Sequence, residues 1–275
     1  MDTDAHQPPR PIGHQKIELP KYRIPGEPEK YRLSAARLRE FQHKSPATPI
    51  ARAPTRYISA LATNLTHNHP HVLHLRILSS TTALLVARCV AFLPANVQLW
   101  LKTVFVEWFL PDQAVLKIQK KDDEPEEGRD QESLDEGFDT EVKAYNRLQP
   151  LQGVVIPRCY GQLHYQGSRA LLLERLKGVS LVSPEGFTLT LQELSDLLQP
   201  CHQALHVFGV QHGDAHLGNF QLVDGRIMVL DSEEAVFDSS AEEQEMFIRL
   251  NICHLAERYR DPQAYYRAVG QLEAA

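Results

Sequence analysis

The sequence predicts an α+β chain in which an antiparallel-sheet region carrying one helix precedes a mainly helical region. Three features predict it. Short aliphatic and β-branched runs bounded by turn residues recur between positions 72 and 176, as strands do. Apolar residues return with helical spacing in 138–148, 189–207 and 241–259. Two apolar runs, 220–223 and 226–230, are separated only by Asp224-Gly225, a dipeptide that closes hairpins. With 275 residues and 43% apolar content, the chain can bury a core in one domain and still carry a tail.

In chain order, residues 1–56 hold half of the 18 prolines and an excess of Arg and Lys. They are expected to form an extended arm, either disordered or used for docking, with a short helix from Ser34 to His43. The folded domain is expected at 57–275. Its first two strands are read at Val72–Leu78 and Ala83–Val90, joined by Ser79-Ser80-Thr81-Thr82. The insert 92–113, with Trp100, Phe105, Trp108 and Phe109, would extend these strands or cover the outer face of the sheet, with a partner site as the lesser alternative. Ala114–Ile118 is the third strand, with Lys117 inside an aliphatic run. The acidic segment 120–136 is read as a solvated loop. Phe138, Val142, Tyr145 and Leu148 form one helical stripe with Glu141 at its edge, and Asp139 or Thr140 as the cap. Two more strands, Gln162–Tyr165 and Ala170–Leu176, flank a Gly-Ser turn. A helix over 189–207 follows. A last helix, Ala241–Tyr259, would bury Met246, Ile248, Leu250, Ile252 and Leu255 and end at Asp261-Pro262, with a short helix through Tyr265, Tyr266 and Val269 beyond it.

The residues that carry chemistry lie in His212-Gly213-Asp214-Ala215-His216-Leu217-Gly218-Asn219 and in Leu230-Asp231-Ser232. An Asp is followed five residues later by an Asn and twelve residues after that by a second Asp. The 220–230 hairpin returns Asn219 and Asp231 to each other's side, close enough to share one metal ion. Phosphoryl transfer from ATP needs such a set: one carboxylate for the proton of the attacking hydroxyl, and oxygen ligands for magnesium. His212 is expected to hydrogen-bond the loop backbone and His216 to shape the loop around Asp214. Glu233 and Glu234 are read as solvated loop acids, with contact to a second metal through water as the alternative for either.

In the form HGDxHxxN…LDSEEA the chain resembles the protein-kinase-like superfamily. It is closer there to the aminoglycoside phosphotransferase, choline kinase and RIO kinase branch than to protein kinases with HRDxxxxN and DFG. The resemblance spans about residues 57–260. It implies a bilobal protein-kinase-like fold with an N-lobe at 57–173 and a reduced C-lobe at 174–275. It implies Asp214 as catalytic base, and Asn219 and Asp231 as magnesium ligands. Lys117, in a V-A-I-K-like strand, would reach the phosphates, and Glu141 would orient it, with Glu136 as the nearest rival. Backbone groups of Glu174, Arg175 and Leu176 would hold the adenine of ATP. The pattern departs at the 79–82 turn, which has no glycine, and after Asp231, where only 44 residues follow and no A-P-E stretch occurs. Two functions follow. One is an ATP- and Mg-dependent phosphotransferase acting on a hydroxyl of a protein or small molecule. The other is a pseudokinase, a nucleotide-binding or scaffold protein without turnover. Five filled chemical positions favour the first.

A net charge of −6 gives no sign of nucleic-acid binding. No apolar run approaches the ~20 residues that a membrane span requires, and the polar, proline-rich start does not resemble a signal peptide. Four scattered cysteines are expected as reduced thiols in an intracellular protein. His67, His69 and His71 read as a polar lead-in to a strand, not as metal ligands.

Overall fold

The computed structural model describes residues 58, 60–64, 71–78, 81–121 and 131–272. The Ser34–His43 helix, the arm around it, the 79–80 half of the first turn and the 122–130 part of the acidic segment lie outside the described residues. The fold is mixed α+β, with an antiparallel sheet and several helices. Strands β1 (Ala60–Asn64), β2 (Val72–Ile77), β3 (Gln113–Ile118), β4 (Cys159–Tyr165) and β5 (Ser168–Glu174) form one sheet in the order β1-β2-β3-β5-β4.

The pleat sorts these strands into two faces. Leu73, Leu75 and Ile77 join Ala114, Leu116, Ala170 and Leu172 in one cluster. Residues of the opposite parity, Val115, Leu171 and Leu173, pack into the larger core instead. Lys117 shares that second parity and pairs with Leu171 in register, so it is delivered to the face that the following helix covers.

Two expectations are corrected in this region. The run 83–90 is not a strand but part of helix α1 (Thr81–Val90), and the 92–113 insert holds helix α2 (Ala95–Val104) and a 3-10 turn at Val106–Trp108. Short apolar runs are ambiguous between strand and helix. Here β2 pairs directly with β3, Val72 opposite Lys117, which leaves no ladder edge for a strand at 83–90. The strand that does border β2 is β1, which the sequence reading did not include.

Helix α3 (Gln131–Arg147) starts earlier than expected, so 131–136 is helix rather than loop, and Asp139 and Thr140 lie inside the helix, not at its cap. It buries Leu134, Phe138, Glu141, Ala144 and Tyr145. The second half begins with β6 (Val179–Ser180), which pairs with the hairpin β8 (Phe220–Val223) and β9 (Arg226–Val229). Asp224 and Gly225 both take positive φ, 49° and 72°, the conformation that a tight hairpin turn requires. Helix α4 (Leu191–Val207) opens on a capping box between Thr190 and Glu193. Strands β7 (Val210–Gln211) and β10 (Val236–Phe237) pair across the segment between them.

Helix α5 (Ala241–Ala268) opens on a second capping box, Ser240 with Glu243, and continues through Pro262 as one helix. Leu255 is buried as expected and Ile248 and Ile252 are half-buried, but Met246 and Leu250 are exposed. The buried stripe is Gln244, Asn251, Leu255, Tyr259 and Gln263. Its polar tips hold the 184–189 turn. Tyr259 donates its hydroxyl to the Gly186 carbonyl (2.8 Å) and accepts from the Leu189 N–H (3.0 Å). Gln263 Nε2 donates to the Phe187 (2.8 Å) and Leu189 (2.5 Å) carbonyls. These bonds lie on either side of Pro262 and hold the helix against the turn despite the proline. Among the described residues no helix is long and apolar enough to cross a membrane.

Tyr259→Phe keeps the ring packing and leaves the Gly186 carbonyl and the Leu189 N–H without this partner. A loss of about 1–3 kcal/mol in unfolding free energy is expected, read as a lower urea midpoint at unchanged slope. An unshifted midpoint would show that the turn is held without this hydroxyl.

Candidate functional site

Lys117 sits in the middle of β3 and is buried. Its Nζ lies 2.8 Å from Glu141 Oε2, 2.9 Å from Asp231 Oδ1 and 2.8 Å from Glu233 Oε1. Glu141 comes from α3, where it is fully buried; the rival Glu136 is exposed on the same helix. Asp231 ends the β9 side of the hairpin with φ of 54°, an uncommon conformation for a residue with a side chain. Its Oδ1 also accepts from the Glu233 N–H at 3.3 Å.

Glu233 corrects the sequence reading. Its side chain is only 14% exposed and its second oxygen meets Lys120 Nζ at 3.3 Å, so it is no solvated acid. Glu234 is exposed, as expected. A second lysine three residues after Lys117, opposite a run of acids after Asp231, was the signal available in the sequence; only the tertiary fold shows that they meet.

Burial works against the Lys117 charge, but Glu141, Asp231 and Glu233 together outweigh it and hold the ammonium well above the usual lysine range. Burial also dominates at Glu141. The two other carboxylates add to it, Lys117 opposes it, and the result is a rise to about 7. At Asp231 burial is overcome by Lys117, the Glu233 N–H and Lys120, which lower it to about 2. Asp231 is thus the carboxylate that stays charged against Lys117, and Glu141 the one that retains a proton most readily.

The 212–219 loop lies against the 230–235 turn because β7 and β10 pair beside it. His212 Nε2 donates to the Leu230 carbonyl at 2.7 Å, which meets the expectation of a bond to loop backbone. Gly213 has φ of 29°, and a Cβ there would sit 1.7 Å from the Glu234 carbonyl oxygen, so this contact requires glycine. Asn219 Nδ2 donates to Asp214 Oδ2 at 2.8 Å. The Leu230 N–H donates to the Asn219 carbonyl at 2.8 Å, which places the Asn219 backbone next to Asp231. His216 Nδ1 accepts from the Gly218 N–H at 3.1 Å and so shapes the turn after Asp214.

The structure therefore joins Lys117, Glu141 and Asp231 in one cluster and Asp214 with Asn219 in another, linked through the 219–230 backbone bond. Glu141, Asp231 and Glu233 offer carboxylate oxygens within 4.8 Å of one another, and the cation that stands among them is the Lys117 ammonium. Glu174, Arg175 and Leu176 follow or end strand β5, whose Glu174 pairs with Ala114 of β3. They line a cavity of about 730 Å³ with Gln113, Tyr160 and Met228, and its wall includes none of Lys117, Asp214, Asn219 or Asp231.

Glu141 gives a signed pH dependence. Its folded value, about 7, lies above the ordinary 4.5, so the folded protein binds the extra proton between these limits. Stability contributed by Glu141 is present at low pH and falls as pH rises through that window. Asp231 acts only below its ordinary 3.8, and Lys117 only above 10.5. Buried His202, lowered to about 3, has the opposite slope below 6.5. The difference between wild type and Glu141→Gln isolates Glu141. Between about pH 5 and about pH 8 the urea midpoint of the wild type is expected to fall relative to that of the variant. Parallel profiles would remove the proton from Glu141.

No protein-family model matches the chain, and no curated protein matches it.

Proposed function

We propose that the chain is a bilobal, protein-kinase-like phosphotransferase that binds Mg-ATP and transfers the γ-phosphoryl group to a hydroxyl of a protein or small molecule. The observation that carries this reading is the buried Lys117 ammonium set between Glu141 of a helix and Asp231 of the turn after a hairpin. A lysine fixed on a strand and oriented by a helix glutamate suits a phosphate partner. The donors nearby are oxygens, which fits magnesium. Asp231 would hold it with the Asn219 Oδ1, since the amide nitrogen of Asn219 is engaged with Asp214. Bound magnesium would neutralise phosphate charge. Asp214, fixed by Asn219, would accept the proton of the acceptor hydroxyl. Glu174, Arg175 and Leu176 remain the proposed adenine contacts.

A second reading, a scaffold that does not turn over, is favoured by Glu233. Its carboxylate occupies Lys117 and Lys120 together, where a phosphate would otherwise sit. The two readings separate on transfer of labelled phosphate from ATP into protein and metabolite pools. The phosphotransferase reading expects transfer by wild type and a loss of about 100-fold or more in Asp214→Asn, with nucleotide affinity little changed. Wild type that never transfers label, or full transfer by Asp214→Asn, would contradict it. Glu233→Gln is expected to tighten Mg-free ATP binding several-fold by removing a competing anion. Weaker binding would instead make Glu233 part of the nucleotide or metal site.

A further inference from the structure

We propose that the segment 81–104, which holds α1 and α2, is a docking surface for an anionic lipid bilayer. Among the described residues, neither helix gives a side chain to either hydrophobic cluster of the fold. The segment nevertheless carries large apolar side chains in the open: Leu85 is 62% exposed, Phe92 between the helices 89% and Trp100 59%. In α2, Val97, Trp100 and Val104 recur at the spacing of one helical stripe and all three are exposed, as is Leu93 just before the helix. Contiguous exposed apolar surface of this kind marks an interaction site.

Charge selects the partner. From residue 41 to residue 106 the sequence contains no Asp or Glu, in a chain whose net charge is −6. Arg88 of α1 and Lys102 of α2 are exposed. A second copy of the chain would bring these cations against their own images across a two-fold interface. The arm of residues 1–56, with eleven Lys and Arg against six Asp and Glu, has the same sign. An anionic bilayer complements both features: apolar and tryptophan side chains enter the interface while basic ones meet the headgroups. Each helix has ten residues, about 15 Å, so each would lie in one leaflet's interface and not cross it.

The chain supplies its own reporter, because Trp100 and Trp108 are its only tryptophans and both belong to this insert. The full chain is mixed with vesicles of phosphatidylcholine alone or with phosphatidylserine. Binding is followed by co-sedimentation and by tryptophan emission. The expected result is binding to the anionic vesicles with a blue shift, weakened by salt. Phe92→Asp and, separately, Arg88→Glu with Lys102→Glu should each lower binding about tenfold or more. Both variants should keep the wild-type urea midpoint, since Arg88, Phe92 and Lys102 are exposed and outside the core clusters. Absence of vesicle binding, equal binding to neutral vesicles, or binding unaffected in both variants would overturn the proposal. So would self-association of the wild type that Phe92→Asp abolishes, which would assign the patch to a second copy.

Discussion

A buried ammonium among three carboxylates governs the arrangement of this protein. Lys117 cannot leave water without partners, because an unpaired buried charge costs several kcal/mol (about 3–5 when one partner of a buried pair is removed). Its partners come from three separate pieces of chain: Glu141 from α3, Asp231 from the end of the hairpin, and Glu233 from the turn beyond it. Satisfying that one side chain therefore fixes the helix against the sheet and the turn against both. The burial that makes the cluster costly also makes it responsive, since Glu141 is lifted to about 7 while Asp231 is held near about 2. A site built this way answers strongly to any added charge.

The rest of the scaffold keeps the second group of side chains in reach of the first. Gly213 allows the 212–219 loop to touch the Glu234 carbonyl, and the β7–β10 pair holds the two segments in register. His212 spends its Nε2 proton on the Leu230 carbonyl, one residue before Asp231. Asp214 and Asn219 are thereby placed by backbone and buried rings, and not by exposed loop contacts. The left-handed Asp231 is the one strained position within the cluster, and strain held by surrounding contacts is a common property of functional sites.

Local chemistry made part of this legible in the sequence. The Asp224-Gly225 turn specified the β8–β9 hairpin, the stripe around Phe138 specified the middle of α3, and the Lys117 strand lay where its aliphatic run indicated. Glu141 was separated from Glu136 by its place on the apolar stripe, and burial separates them in the same way. What was not legible depended on distant partners. The 83–90 run is equally good helix or strand until the pairing of β2 with β3 is known. Charge concealed the start of α3, because 131–136 looks like solvent-facing loop until Leu134 is seen to be buried beneath it. In α5 the conspicuous apolar residues Met246 and Leu250 face outward, while Gln244, Asn251 and Gln263 are buried. A polar residue can line a core when carbonyls wait for it, as the Phe187 and Leu189 carbonyls do for Gln263. Glu233 escaped notice for the same reason: its counter-ions lie more than a hundred residues away in sequence.

If the Lys117–Asp231 cluster is a nucleotide site, nucleotide and magnesium must bind it together. Titration calorimetry of ATP with and without magnesium, on wild type and on Asp231→Asn, tests this most directly. The account predicts binding by wild type that magnesium strengthens, and loss of that magnesium effect in the variant. Binding indifferent to magnesium in wild type, or no binding at all, would contradict it.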